Sequence, residues 1–252
     1  MYHKSFYCAG TTHALHHCAR ILAQVGVSVT SSPGWETGHL LLDVPSFRPG
    51  GILSHPEALD TLLGSLPQDI TIWGGNLDHP SLAGFHTVDL LKNEPYLQEN
   101  ATITARCALM LALPLLQTPP QDSPVLIIGW GRIGKSLAAL LKEKGYPVTV
   151  AARRDETRTI LTGLGYEAAD CNDLSSLLPD VRLIFNTVPA PVLSEEVTVL
   201  CKNCVKMDLA SQKGIAGDDV IWARGLPGIH APEESGKLIA HTILDILKEE
   251  EK

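Results

Sequence analysis

Gly129, Gly131 and Gly134, in the stretch "GWGRIG", directly follow the apolar run "VLII" and precede "GKSLAALLKEKG", which has helical spacing. This Gly-x-Gly-x-x-Gly spacing suits one piece of chemistry. The first glycine allows a tight turn off a strand, the second lets a pyrophosphate approach the backbone, and the third lets helix and strand pack closely. The amides of Arg132 and Ile133, at the helix start, would then face the phosphates. A second apolar run, "VTVAA", completes a βαβ unit, so a dinucleotide is the expected ligand. The end of that second strand bears on which dinucleotide it is. An Asp or Glu there would take the ribose hydroxyls of NAD, whereas this chain has Ala151, Ala152, Arg153 and Arg154. A guanidinium pairs with a 2′-phosphate, so NADP(H) is favoured, with NAD(H) left open by Asp155.

Further candidates lie after other apolar runs. "RLIFNTVPAPVL" sets Asn186, Thr187, Val188 and Pro189 where a loop would line a nicotinamide ribose, and "MDLASQKG" puts Asp208 and Ser211 on the same side. For the substrate, "SFRPGG" offers Ser46, Arg48, Gly50 and Gly51, "WGGN" offers Asn76, and Asn100 and Arg106 flank the start of a long apolar helix. In a chain of formal net charge −8, a small dicarboxylate would need such local cations and amide donors. His230 after "GLPGI" is a candidate general base, Asn100 a second catalytic candidate, and His55 adjoins the substrate loop. His13, His16 and His17 lack a carboxylate partner at ligand spacing, so no metal is expected. The "CKNC" pair, Cys201 and Cys204, has no second pair at comparable spacing and is read as structural.

The elements that must position these residues fall into two halves. Short apolar runs alternate with helical spacing through "KSFYCAG", "THALHHCARILAQVG", "VSVTS", "HLLLDVP" and "ITIWGG". This predicts a smaller N-terminal α/β domain with a parallel sheet over residues 1–99. A connecting helix over residues 100–118, capped by Thr102 or Thr104 and bent or ended by Pro114, leads through "TPPQDSP" to a doubly wound α/β Rossmann domain over residues 119–229. Residues 230–252 form an amphipathic helix with Leu238, Ile239, Thr242, Ile243 and Ile246 on one face, expected to pack across the hinge, and the substrate is expected in the cleft between the domains.

At 252 residues with 19% charged and 44% apolar content, both halves can bury a core, and neither disorder nor a nucleic-acid partner is suggested. No apolar run approaches the roughly 20 residues a membrane helix needs, and no secretory signal is seen, so a cytoplasmic protein is expected. The six cysteines are scattered, as reduced thiols are.

The combination "GWGRIG", "AAR", "FNTVPAPVL", "MDLAS" and "GLPGIHAPEESGKLIA", in that order, resembles the family of dipicolinate synthase A subunits, and "ENATITARCALMLAL" resembles the segment leading into that family's connecting helix. The resemblance runs from about Asn100 to Leu247 and is thin before it, in a half expected to be shorter than is usual. It implies NAD(P)-dependent oxidation of a dihydrodipicolinate to pyridine-2,6-dicarboxylate in a sporulating bacterium, and a partner in the form of a flavoprotein-like B subunit. A homo-oligomer is also expected. The chain departs from the family at Gln212, Lys213 and Glu233. Two other readings stand beside this one: an amino-acid or hydroxy-acid dehydrogenase of similar architecture, and a non-catalytic NADP(H)-binding regulatory subunit.

Overall fold

A computed structural model describes residues 5–48, 52–53 and 59–250. The chain divides into two compact units, residues 1–100 with 227–252, and residues 101–226.

In the first unit, β1 (Ser5–Ala9), α1 (His13–Gln24), β2 (Val29–Thr30) and β3 (Thr37–Leu42) are followed by a small antiparallel pair, β4 (Phe47–Arg48) and β5 (Ile52–Leu53). Then come α2 (Leu59–Gly64), β6 (Thr71–Gly74) and β7 (His86–Asp89). The main sheet is wholly parallel, in the order β2-β1-β3-β6-β7. A parallel strand covered on both faces needs apolar residues at every position, and "LLL" of β3 supplies them. Side chains alternate along the strand, so Leu41 joins Phe6 and Trp73 in one core layer, while Leu40 and Leu42 join Tyr7 and Ile72 in the other.

Helix α3 (Glu94–Ala112) carries the chain from one unit to the other. It starts well before the expected Thr102 or Thr104 cap: the Asn93 side-chain oxygen accepts from the Tyr96 amide at 2.9 Å and serves as the cap instead. The apolar run marks only the second half of the helix, and Thr102 lies inside it, 3.3 Å from the Ser136 hydroxyl. The α-helix stops before Pro114, which has no amide hydrogen with which to continue it.

The second unit is built from β8 (Val125–Ile128), α4 (Arg132–Glu143), β9 (Val148–Ala152), α5 (Asp155–Gly163), β10 (Glu167–Asp170), β11 (Leu183–Asn186), α6 (Glu195–Thr198), β12 (Val205–Asp208) and β13 (Val220–Trp222). Its sheet is parallel throughout, in the order β10-β9-β8-β11-β12-β13. From β8 the chain winds outward one way through β9 and β10, then returns to β11 on β8's other side. The loops after β8 and β11 therefore part at the carboxyl ends of adjacent strands, the switch point where doubly wound sheets hold ligands. Cys201 and Cys204 are buried in this unit's apolar core.

After α7 (Leu226–His230), α8 (Pro232–Glu250) completes the first unit by packing along α1. Gly236 is the contact point: a Cβ there would lie 2.5 Å from the Ala14 carbonyl oxygen and 2.9 Å from the Cys18 amide nitrogen, so any side chain would force the two helices apart. Ile239, Ile243 and Leu247 fill the space beyond. Among the described residues no helix is long and apolar enough to cross a membrane.

Candidate cofactor site

Each glycine of the 129–134 turn answers a different constraint. Gly129 has φ of 106°, a conformation L side chains rarely adopt. A Cβ on it would also sit 2.4 Å from Thr187 Oγ1, on the neighbouring loop. A Cβ on Gly134 would lie 2.2 Å from the Gly129 carbonyl oxygen, so α4 can approach β8 only without one. Gly131 differs: it caps α4 with φ of −81° and has no atom within 4 Å of a built Cβ. Neither backbone nor packing requires glycine there, and the bare space beside the first amides of α4 is what a phosphate group would fill.

That turn borders a cavity of about 820 Å³ at the carboxyl ends of β8, β9 and β11. Gly129 and Trp130 form one wall, Arg153, Arg154 and Thr157 a second, Cys171 and Asn172 a third, and Val188 to Val192 a fourth. Of the residues expected from sequence, Gly129, Arg153, Arg154, Val188 and Pro189 thus share one space. Arg132 and Ile133 are the first residues of α4, on the far side of Gly131. Thr187 anchors the wall from behind, its hydroxyl donating to the Ile128 carbonyl at 3.0 Å.

Three residues expected at the cofactor do not line that cavity. Asn186 and Asp208 are fully buried and bonded to protein. The Asp208 carboxylate accepts from the amides of Ala210, Gly214 and Ile215 and from Asn186 Nδ2, at 2.7 to 3.0 Å. Asn186 also closes on its own loop through the Val188 amide and carbonyl. The pair therefore shapes the Val188–Pro189 wall rather than facing the cavity. Ser211 is exposed and does not line the cavity.

Residues that the motif did not mark complete the lining. Trp130 stands edge-on to Tyr166 at 5.7 Å between ring centroids. Asn172 is oriented by Asp170, whose Oδ1 accepts from its amide and its side-chain nitrogen at 2.9 and 3.0 Å. Burial raises the Cys171 thiol pKa above its ordinary value, against the lowering charges of Arg153 and Arg158. The usable signal for Cys171 and Asn172 was positional: they follow the strand-like "YEAAD", at the same end of the sheet as the glycine turn.

The expected substrate residues differ in what each leaves open to a ligand. Ser46 is completely buried, its hydroxyl donating to the Asp43 carbonyl at 2.8 Å and accepting from the Gly75 amide at 3.1 Å. It clasps two loops and has no free face for a ligand. Arg48 ends β4, and Gly50, Gly51 and His55 lie outside the described residues. Asn76 is exposed with φ of 59°, held there because Asp89 accepts from its amide at 3.1 Å. Arg106 does not reach the cofactor cavity; it is exposed on α3 and borders a separate groove of about 390 Å³ with Met110, Leu140 and Lys144. Asn100 lies within α3, and His230 is exposed at the end of α7.

No protein-family model matches the chain. The dipicolinate synthase A subunit of Bacillus subtilis (strain 168) is 27% identical over 171 residues, covering 64% of this chain and 58% of that relative's length. The crystal structure of the dipicolinate synthase A subunit from Bacillus halodurans superposes with a TM-score of 0.82 at 20% identity, covering 97% of both chains. The A chain of dipicolinate synthase from Bacillus subtilis gives 0.83 at 20% identity, covering 99% of this chain and 97% of that one. The likeness to these two structures is one of fold, two α/β units each with a parallel sheet, so the resemblance carried by the motifs extends to the fold.

Proposed function

We propose that this chain, similar to the A subunit of dipicolinate synthase in sequence and in fold, is an NADP-preferring oxidoreductase that acts on a small cyclic dicarboxylate. One observation carries the reading: the cavity that opens beside the glycine turn is edged by Arg153 and Arg154 at the end of β9.

The residues fit a nicotinamide dinucleotide. The bare Gly131 and the amides of Arg132 and Ile133 would hold the pyrophosphate, and Arg153 and Arg154 the 2′-phosphate. Val188 and Pro189 would cover the nicotinamide end and exclude water. When bound, the nicotinamide supplies an acceptor for the hydride that the substrate gives up. This chain would hold the substrate carboxylates through Arg48, with Asn76 as a further donor; His230 would receive the proton leaving the neighbouring ring atom, and Asn100 would hydrogen-bond a carboxylate or the ring nitrogen. The substrate loses a hydride and a proton and gains a double bond, so that a dihydropyridine dicarboxylate would become pyridine-2,6-dicarboxylate. The family resemblance supports that substrate, the cytoplasm of a sporulating bacterium for its setting, and partnership with a flavoprotein-like B subunit.

Titration of NADPH and NADH against tryptophan fluorescence tests the cofactor reading, with Trp130 in the cavity wall as reporter. NADPH should bind more tightly, and Arg153→Ala should reduce the preference about tenfold, the worth of one charge-assisted hydrogen bond at a partly exposed site. Calorimetry with pyridine-2,6-dicarboxylate should show binding that tightens when NADP⁺ is present. Equal affinities for the two dinucleotides would refute the NADP preference. If NADP(H) binds and no dicarboxylate does, the regulatory reading replaces the enzymatic one.

A further inference from the structure

The residues behind the Arg153–Arg154 turn point to a device that sets the sign of the site. Two carboxylates lie close to it. Asp155 opens α5 directly after the arginines, and Asp170, at the end of β10, stands in register with Ala152. Unpaired, either could bond ribose hydroxyls or repel a phosphate. Both are engaged by Arg158, one turn into α5. Its Nη2 lies 3.2 Å from Asp155 Oδ1, and its Nη1 lies 3.3 Å from Asp170 Oδ2. Nη1 also donates to the carbonyls of Ala152 and Arg153, both at 2.9 Å. The other oxygen of Asp170 is taken by Asn172, which lines the cavity.

Arg158 itself does not line the cavity, and its side chain is only 22% exposed. Arg153 and Arg154 do line it, and among the described residues neither forms an ion pair. One half-buried guanidinium thus bonds both nearby acids, offsets one of their two negative charges and fixes the carbonyls of the turn, so that with Arg153 and Arg154 the cluster keeps a net charge of +1 toward the ligand.

We infer that Arg158 is a specificity-determining positioning residue: by holding Asp155 and Asp170 away from the ligand, it makes the end of β9 selective for a dinucleotide carrying a 2′-phosphate. The inference rests on the cofactor reading above and adds to it a residue that touches neither cofactor nor substrate.

The test is the ratio of NADPH to NADH dissociation constants in the unaltered chain and in Arg158→Gln, which keeps a donor for the two carbonyls but removes the charge. Loss of the one positive charge set against the two carboxylates takes the cluster from +1 to 0 and should weaken NADPH about tenfold, with the loss shrinking as salt is raised. NADH, lacking the 2′-phosphate, should change much less. Adding Asp155→Asn and Asp170→Asn to Arg158→Gln should restore most of the NADPH affinity, a rescue that a merely structural role would not give. Arg158→Lys, which retains the charge, should fall between the unaltered chain and Arg158→Gln and serves as the test if the glutamine variant does not fold. An unchanged ratio in a folded variant, or a loss that neutralising the two aspartates does not reverse, overturns the role of Arg158. A chain that without substitution binds NADH as tightly as NADPH refutes instead the underlying NADP reading.

Discussion

Replacing Gly131 with valine separates binding from folding at the glycine turn. The backbone there, φ −81° and ψ −172°, is ordinary extended conformation that a β-branched residue adopts readily, and a built Cβ meets nothing within 4 Å. No side-chain cap is lost, because Gly131 provides none. The stability cost should therefore stay within about 1 kcal/mol, a melting shift of about 2–4 °C for a chain of this size. The valine methyls would instead occupy the space beside the first amides of α4. A pyrophosphate displaced from those amides should cost at least about 100-fold in NADPH affinity, or about 2.8 kcal/mol. Gly134→Ala provides the contrast, since its Cβ would fall 2.2 Å from the Gly129 carbonyl oxygen and backbone must move to admit it. Overpacking of that kind costs about 1–3 kcal/mol or more, so this variant should lose stability as well as binding. Fluorescence titration and thermal melting of both variants check the argument. If Gly131→Val retains NADPH affinity within about threefold of the unaltered chain, well inside the tenfold that 1.4 kcal/mol represents, the phosphates do not lie at this turn.

Two further predictions concern the scaffold. Ser46→Ala removes the acceptor of the buried Gly75 amide and the donor to the Asp43 carbonyl, and denaturant unfolding should show a loss of about 1–3 kcal/mol with NADPH affinity unchanged. The buried Lys206 ammonium pairs with Asp219; burial lowers the lysine pKa, but the bond and charge of Asp219 outweigh this and leave it raised above 10.5, while the Asp219 pKa is lowered from 3.8. Asp219→Ala should cost about 1–2 kcal/mol near neutral pH, less than a fully buried pair because Asp219 is largely exposed. Melting against pH should show that difference shrinking at both ends. On the acid side it falls as pH drops below the ordinary carboxylate value and through the lowered Asp219 pKa. On the alkaline side it falls as pH climbs past the ordinary lysine value and through the raised one. A difference independent of pH would show that the charge pair is not its source.

The glycine spacing, the runs "VLII" and "VTVAA" and the leucines of β3 determined the two parallel sheets and the dinucleotide turn, because local pattern and strand burial are written in consecutive residues. The same order of strands placed Arg153, Arg154, Val188 and Pro189 at one end of a sheet. Tertiary structure alone decided which polar residues were still available to a ligand. Ser46, Asn186 and Asp208 have suitable types in suitable loops, but their hydrogen-bonding capacity goes to amides, carbonyls and side chains up to 29 positions away in sequence, such as Gly75 for Ser46 and Asn186 for Asp208. Arg106 has the right charge, but the turn of α3 carries it to another groove. Nothing in the sequence marks Arg158, which acquires its role only because the pairing of β9 with β10 brings Asp170 beside it. A residue type announces what a side chain can bond. Only the packing of distant segments determines whether that bond has already been made within the protein.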